Sequence, residues 1–319
     1  MSQIGATLDN APAAPLPVAA AEQRRAGTLR STLARILRQR TAIVGLAILA
    51  FLFTVAILAE VLATHDPIKP MLGIEPGAKP RQPPCIHLLG CPADQPEHYF
   101  GLDGNARDVY SRMLYGARVS LTIGFVTVAW AIVVGTIIGA ISGYGGGWGD
   151  NLMMRGMDLL LAFPALLLTI VVITILGRGL TNAMLAVGIV SVPIYARVMR
   201  SSVLSVREQD YVTAARALGE TPWGILRRRI IPNSITPLVV QGTLGVGTVV
   251  LEIAALSFLG LAAQNPQPEW GVMIGSERNQ LFTSPFLIFI PGLALTLAVL
   301  GFNLLGDGLR DALDPRLTR

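Results

Sequence analysis

Glu252 is a clearly ionisable residue in the middle of an apolar run, Pro237 to Ala262. A carboxylate at that depth costs several kcal/mol unless it is paired or hydrated. It must therefore face a bundle interior or a cavity, either as a hydrogen-bonded structural group or as part of a pathway. A second cluster of reactive types sits in one polar stretch: Cys85, His87, Cys91 and His98. These are zinc-ligand types, but their spacing fits no common structural zinc site, and no metal site is assigned. Cys85 and Cys91 are instead expected to form a disulfide, because the stretch is expected outside the cell, where conditions are oxidising.

Other chemistries are excluded by type. The chain has two lysines, Lys69 and Lys79, and neither follows a glycine. A Walker phosphate loop is therefore absent, and ATP hydrolysis by that route with it. The glycines Gly242, Gly245, Gly247 and those from Gly143 to Gly149 have no strand before them, so they read as packing and turn residues. No histidine falls within an apolar run to serve as a base, and no His-Glu-x-x-His occurs, which argues against a membrane-embedded protease. A self-sufficient secondary transporter would need paired ionisable residues in its spans, and Glu252 has no strong partner there.

The elements that hold these residues belong to a membrane. Of 319 residues, 52% are hydrophobic and 14% charged, against about 25% charged in soluble domains. The apolar residues collect in six runs: 41–63, 119–142, 159–176, 180–196, 237–262 and 286–305. The first makes a helix about 34 Å long, enough for a hydrocarbon core about 30 Å thick. The expected fold is all-α, a six-span bundle. Pro164, Pro193 and Pro291 fall within runs and are expected to bend helices. Gly135 and Gly139 mark a close helix contact. Thr236-Pro237 and Ser284-Pro285 read as caps followed by the first helical residue.

Residues 1–27 are rich in Ala and Pro and read as a disordered tail. The stretch from Thr28 to Arg40 carries Leu29, Leu33, Ile36 and Leu37 at helical spacing among arginines, as a basic helix on the membrane surface does. Residues 64–118 are expected outside the cell, 119–307 as a core of five spans, and 308–319 as a cytoplasmic tail. Arginines before the first run and from Arg197 to Arg229 place both stretches in the cytoplasm, and with six spans both termini lie there. The net charge of +5 comes from these topology-setting arginines and implies no nucleic-acid partner.

The stretch 207–232 is punctuated like a helix–turn–helix. A first helix from Arg207 to Leu218 carries Tyr211, Ala215 and Leu218 on one face and ends at Gly219, placed for a left-handed cap. Thr221 caps a second helix that begins at Pro222 and stops at Ile231, before Pro232. Ala214 and Ala215 leave a bare surface that a partner can approach. From the residues alone it is equally a connector resting on lipid headgroups.

The run from Tyr211 through Thr213, Ala214, Ala215 and Leu218 to Gly219, closed by Ile231-Pro232-Asn233, resembles the EAA loop of binding-protein-dependent ABC import permeases. Thr213 stands where that motif has its glutamate. Further likeness covers roughly residues 30–319, to the C-type subunit of dipeptide, oligopeptide and nickel importers: Tyr99 to Asp103, Arg107 to Arg112, Tyr115 to Leu121, Met157 to Pro164, Glu252 to Gly260, and Gly306 to Pro315. Ala106 stands where the family has glycine. The resemblance implies a permease that moves peptides or a related small solute across a bacterial inner membrane by alternating access. It implies a second homologous permease subunit, two ATP-binding subunits that hold ATP and Mg, and an extracytoplasmic solute-binding protein. The chain itself would hold no cofactor and catalyse nothing. Tyr211, Thr213, Ala214, Ala215, Leu218 and Gly219 would couple it to the ATPase.

Overall fold

A computed structural model of the chain describes residues 39–92 and 95–313. The expected tail 1–27, nearly all of the basic amphipathic stretch, and residues 314–319 lie outside the described residues.

The apolar runs form the long helices. These are α1 (Arg40–Ile57), α2 (Val109–Gly145), α5 (Leu180–Arg207), α8 (Thr236–Phe258) and α10 (Phe286–Leu313). Among the described residues these five are long and apolar enough to cross a membrane. A sixth crossing is met only by a bent pair, α3 (Gly147–Leu161) and α4 (Ala165–Leu176), whose axes differ by 95°. The third span expected over 159–176, with a bend at Pro164, is thus broken into two helices. At about 1.5 Å per residue, α4 alone is about 18 Å long, too short for the hydrocarbon core. The cause is Pro164, which lacks an N–H and holds the preceding Phe163 out of helix. Pro193 and Pro291 are accommodated inside continuous helices.

Three helices outrun their predicted lengths. α2 begins ten residues early and is about 55 Å long, so it projects well past a bilayer core. α5 continues to Arg207, because Met199 and Val203 keep an apolar face buried while the arginines beside them find partners. α10 runs through Leu313 where a tail was expected from 308, because Gly308 lets its backbone pack against Ala42 of α1. Gly135 and Gly139 do mark a close contact: α2 lies on α5 there, and a methyl group at either would strike Tyr195, Ala196 or Met199. Thr236 is the first residue of α8 rather than its cap, and Pro237 the second.

α2 and α5 pack parallel, Gly135 against Tyr195, Gly139 against Met199 and Gly143 against Val203, so Arg207 at the end of α5 donates to the carbonyl of Gly143 near the end of α2 at 2.9 Å. One end of the bundle therefore holds the loop 208–235, and the opposite end holds the start of α2 with residues 64–108. A short helix, α9 (Trp270–Glu277), packs at that opposite end.

Candidate functional site

The loop after α5 folds as the turn chemistry requires. Helix α6 (Asp210–Ala217) starts three residues later than predicted, since α5 occupies Arg207. Gly219 adopts φ 79°, its N–H donates to Arg216 O at 3.0 Å, and the N–H of Glu220 donates to Ala215 O at 3.1 Å. That pair of bonds is a Schellman end, which a residue with a side chain resists. Thr221 then accepts the Gly224 N–H at 3.2 Å and caps α7 (Pro222–Ile225). The predicted stop before Pro232 does not occur. A π-helical turn, Leu226–Ile230, leads into Ile231–Ser234, and the Asn233 side chain takes up the Arg229 carbonyl at 2.6 Å.

The faces of α6 differ from the expectation. Val212 and Ala215 are buried and root the helix in the chain's own core, so Ala215 offers no bare surface. Tyr211, Thr213, Ala214 and Gly219 are exposed, Leu218 is 87% exposed, and Trp223 on α7 is 66% exposed. An apolar rim thus stands at the end of the bundle, fixed from beneath.

Glu252 is half-buried on α8 and lines a cavity of ≈ 130 Å³ among α3, α4, α5 and α8. Gln241, Thr248, Ser191 and Tyr195 share that lining. Among the described residues it has no ion-pair partner, so the structure places it at a cavity wall rather than in a salt bridge.

The opposite end is knitted by charges that spacing did not reveal. Asp103 accepts from Arg107 Nε at 2.8 Å and lies 3.4 Å from Arg112 Nε. Arg112, buried, donates to the carbonyls of Pro67 and Pro266 at 2.8 and 3.0 Å. Glu277 accepts from Arg81 Nε and from the Gly104 N–H. Glu269 caps α9, accepting the N–H groups of Gly271 and Val272 at 2.9 Å each and the Ser120 hydroxyl. Burial pushes the Glu269 carboxyl up, against the pull of these donors. Ala106 has φ 54°. A glycine there would avoid the roughly 1–2 kcal/mol that a side chain costs in this conformation, but the Ala106 methyl is fully buried and returns part of it.

Cys85 and Cys91 are bonded through their sulfurs, with Cα atoms 5.4 Å apart. The four ligand types weighed from sequence do not come together. His98 pairs with Cys85 only through backbone, at 2.9 Å in both directions, and His87 turns to the Gln95 carbonyl. The His98 ring points inward to Asp108, beside His65 and Glu75. Burial pushes the Asp108 carboxyl up, yet hydrogen bonds from His98 and Ser111 and the charge of His65 bring it below its ordinary value.

Residues 135–319 match the family model for the binding-protein-dependent transport system inner membrane component, more than half of the chain. The chain belongs to this family. Residues 27–84 of the permease match the N-terminal TM domain of oligopeptide transport permease C. It is 43% identical over 288 residues to the dipeptide transport system permease protein DppC of Alkalihalophilus pseudofirmus, covering 90% of each chain. It is 44% identical over 220 residues to the glutathione transport system permease protein GsiD of Pectobacterium atrosepticum, covering 69% of the permease and 73% of that protein. A chain of the MetNI methionine ABC transporter in an inward-facing conformation superposes with TM-score 0.53 at 19% identity, covering 64% of the permease and 97% of that chain. At that identity the likeness shows the fold. The permease is therefore an inner-membrane subunit of an ABC importer, with the helical fold of that chain over about two thirds of its length.

Proposed function

We infer that the permease translocates di- or oligopeptides, or a related small solute, as half of a heteromeric pore. The reading is carried by α6, a short helix rooted by Val212 and Ala215 that presents Tyr211, Ala214 and Leu218 beyond the spans. An exposed apolar rim held on a rigid base suits a cleft in a partner protein, and the family relationship makes that partner an ATP-binding subunit. Two such subunits bind ATP and Mg and hydrolyse the nucleotide; the permease sequence has no Walker phosphate loop. A second homologous permease completes the path, and a solute-binding protein delivers the cargo to the end that holds residues 64–108. The α6 end and both termini then lie in the cytoplasm. ATP-driven closure of the partners moves α6, and the bundle rocks between inward- and outward-open states. The relatives named for dipeptides and glutathione support a peptide-sized solute, and the Glu252 cavity is the segment of path wall with polar lining.

The test is reconstitution with the products of the neighbouring genes in proteoliposomes. ATP-dependent uptake of a labelled dipeptide, competed by peptides, is the expected result. Coupled ATPase activity without uptake of any peptide would sink the solute class. Failure of an ATPase chain to copurify would sink the assembly.

A further inference from the structure

The end of the permease opposite α6 gathers four groups from four separate places in the sequence. His65 follows the first span, Glu75 lies in the turn after Met71, His98 bridges to Cys85, and Asp108 caps α2. His98 is fully buried. Its Nδ1 lies 3.1 Å from Asp108 Oδ1, and since an ionised carboxylate only accepts, Nδ1 carries the proton. The other Asp108 oxygen is occupied by the Ser111 N–H at 2.7 Å. In the neutral ring with that tautomer, Nε2 aims a bare lone pair into the interior.

What it meets is another acceptor. His98 Nε2 is 3.1 Å from Glu75 Oε2, and both atoms are buried without a hydrogen-bond partner. The second oxygen of the same carboxylate, Oε1, is 3.0 Å from His65 Nε2. His65 Nδ1 is held by the Thr64 hydroxyl at 2.9 Å. Two imidazole nitrogens thus converge on the two oxygens of one carboxylate. Two electron-rich atoms in a buried contact repel unless a cation lies between them. A proton on Nε2 does not serve, because the contact lacks hydrogen-bonding geometry. A metal bound along the Nε2 lone pair sits off the nitrogen–oxygen line, where the neighbouring oxygen can also reach it. Nitrogen and oxygen ligands on one zinc, with bonds of about 2.0–2.2 Å, stand a little over 3 Å apart, and each imidazole nitrogen lies about that far from its own oxygen of Glu75.

We propose that His65, His98 and Glu75 bind one borderline-soft divalent transition-metal ion, with Asp108 orienting His98 from behind. Two imidazoles and a carboxylate suit Zn²⁺ in preference to Mg²⁺ or Ca²⁺, which favour all-oxygen sites. A carboxylate on the far nitrogen of a ligating histidine fixes its tautomer and raises its basicity, which is the role the Asp108 contact supplies. The ion ties the segment after α1 and the Met71–Glu75 turn to the head of α2. Spanning four chain segments, it staples the surface next to the Cys85–Cys91 loop.

The full chain, carrying a tag without histidine and purified in detergent without chelator, is the material for the test. Metal content by mass spectrometry, and Zn²⁺ and Co²⁺ titration, give stoichiometry and ligand field. One equivalent per chain is expected, with Co²⁺ bands of nitrogen and oxygen ligation. His65→Ala and Glu75→Gln, both at partly exposed positions, should each lower affinity at least 10-fold while the chain keeps its monodisperse elution. His98→Gln, at a fully buried position, is the riskier variant and is not needed for the decision. His87→Ala should bind as the unsubstituted chain does. No saturable binding overturns the proposal, as does equal affinity in His65→Ala and Glu75→Gln. Thiolate charge-transfer bands with Co²⁺ would overturn it in favour of a cysteine site. A metal-free chain whose thermal midpoint rises as pH falls through the histidine range would overturn it in favour of a buried imidazolium.

Discussion

Arg200 of α5 grips Asp150 of α3 through two parallel hydrogen bonds, Nε to Oδ1 and Nη2 to Oδ2, each 2.6 Å long. Ser142 of α2 donates to the same carboxylate. One charge pair thus ties three helices together at the α6 end. The pairing also explains why an acidic residue tolerates burial just after the glycine turn at Gly146.

Arg200→Ala strands the Asp150 carboxylate with one hydroxyl donor. Because Arg200 is about one-third exposed, water offsets part of the loss, and a cost of about 1–3 kcal/mol is expected. Arg200→Lys keeps the charge but loses the fork and should fall between. Thermal midpoints in nanodiscs across a double-mutant cycle with Asp150→Ala measure the coupling. Strict additivity would show that the two side chains do not cooperate.

The two faces of α6 should separate in mutants. Leu218→Asp and Trp223→Ala change exposed groups, so the chain should insert and elute normally while solute-stimulated ATPase activity drops several-fold. Ala215→Arg forces a charge into the core beneath α6 and should instead lower the yield of folded protein. Normal coupling in both exposed variants would remove this rim from the mechanism.

Glu269 gives a pH signature. Its folded pKa is raised by burial above the unfolded value of about 4.3. The contribution to stability is then fullest below that value and is lost as pH rises through the folded pKa. Glu269→Gln keeps one acceptor for the Gly271 and Val272 amides and cannot ionise. Its stability relative to the unsubstituted chain should therefore improve as pH rises from about 4 toward neutrality. A difference that is flat or of opposite slope would show that the amide and hydroxyl donors outweigh burial.

The disulfide between Cys85 and Cys91 should resist alkylation in denatured, unreduced protein and yield two reactive thiols after reduction. Loop entropy for a ring of roughly seven residues amounts to about 2.4 kcal/mol, enough to order the loop but not the bundle. Replacing both cysteines with serine should raise protease sensitivity between residues 80 and 100 and leave insertion intact. Two thiols alkylated without reduction would refute the bond.

Composition and periodicity by themselves determined the all-helical membrane architecture, because an unbroken apolar run of about 20 residues can satisfy its own backbone in lipid only as a helix, whereas barrel strands alternate apolar and polar residues. The turn at Gly219, the cap at Thr221 and the approach at Gly135 and Gly139 were legible for the same reason: each follows from local sterics or a single hydrogen bond. Tertiary structure decided the rest. That the third span breaks was signalled by Pro164, but its 95° bend depends on what α3 and α4 pack against. That Ala215 faces inward while Leu218 faces out depends on where the core lies beneath α6, which helical spacing cannot say. The convergence of His65, Glu75, His98 and Asp108, and the buried lattice of Asp103, Arg107 and Arg112, required chain segments tens of residues apart to meet. Spacing along a chain carries no information about such contacts, since their energy is set by distance in space and by the dielectric that burial creates.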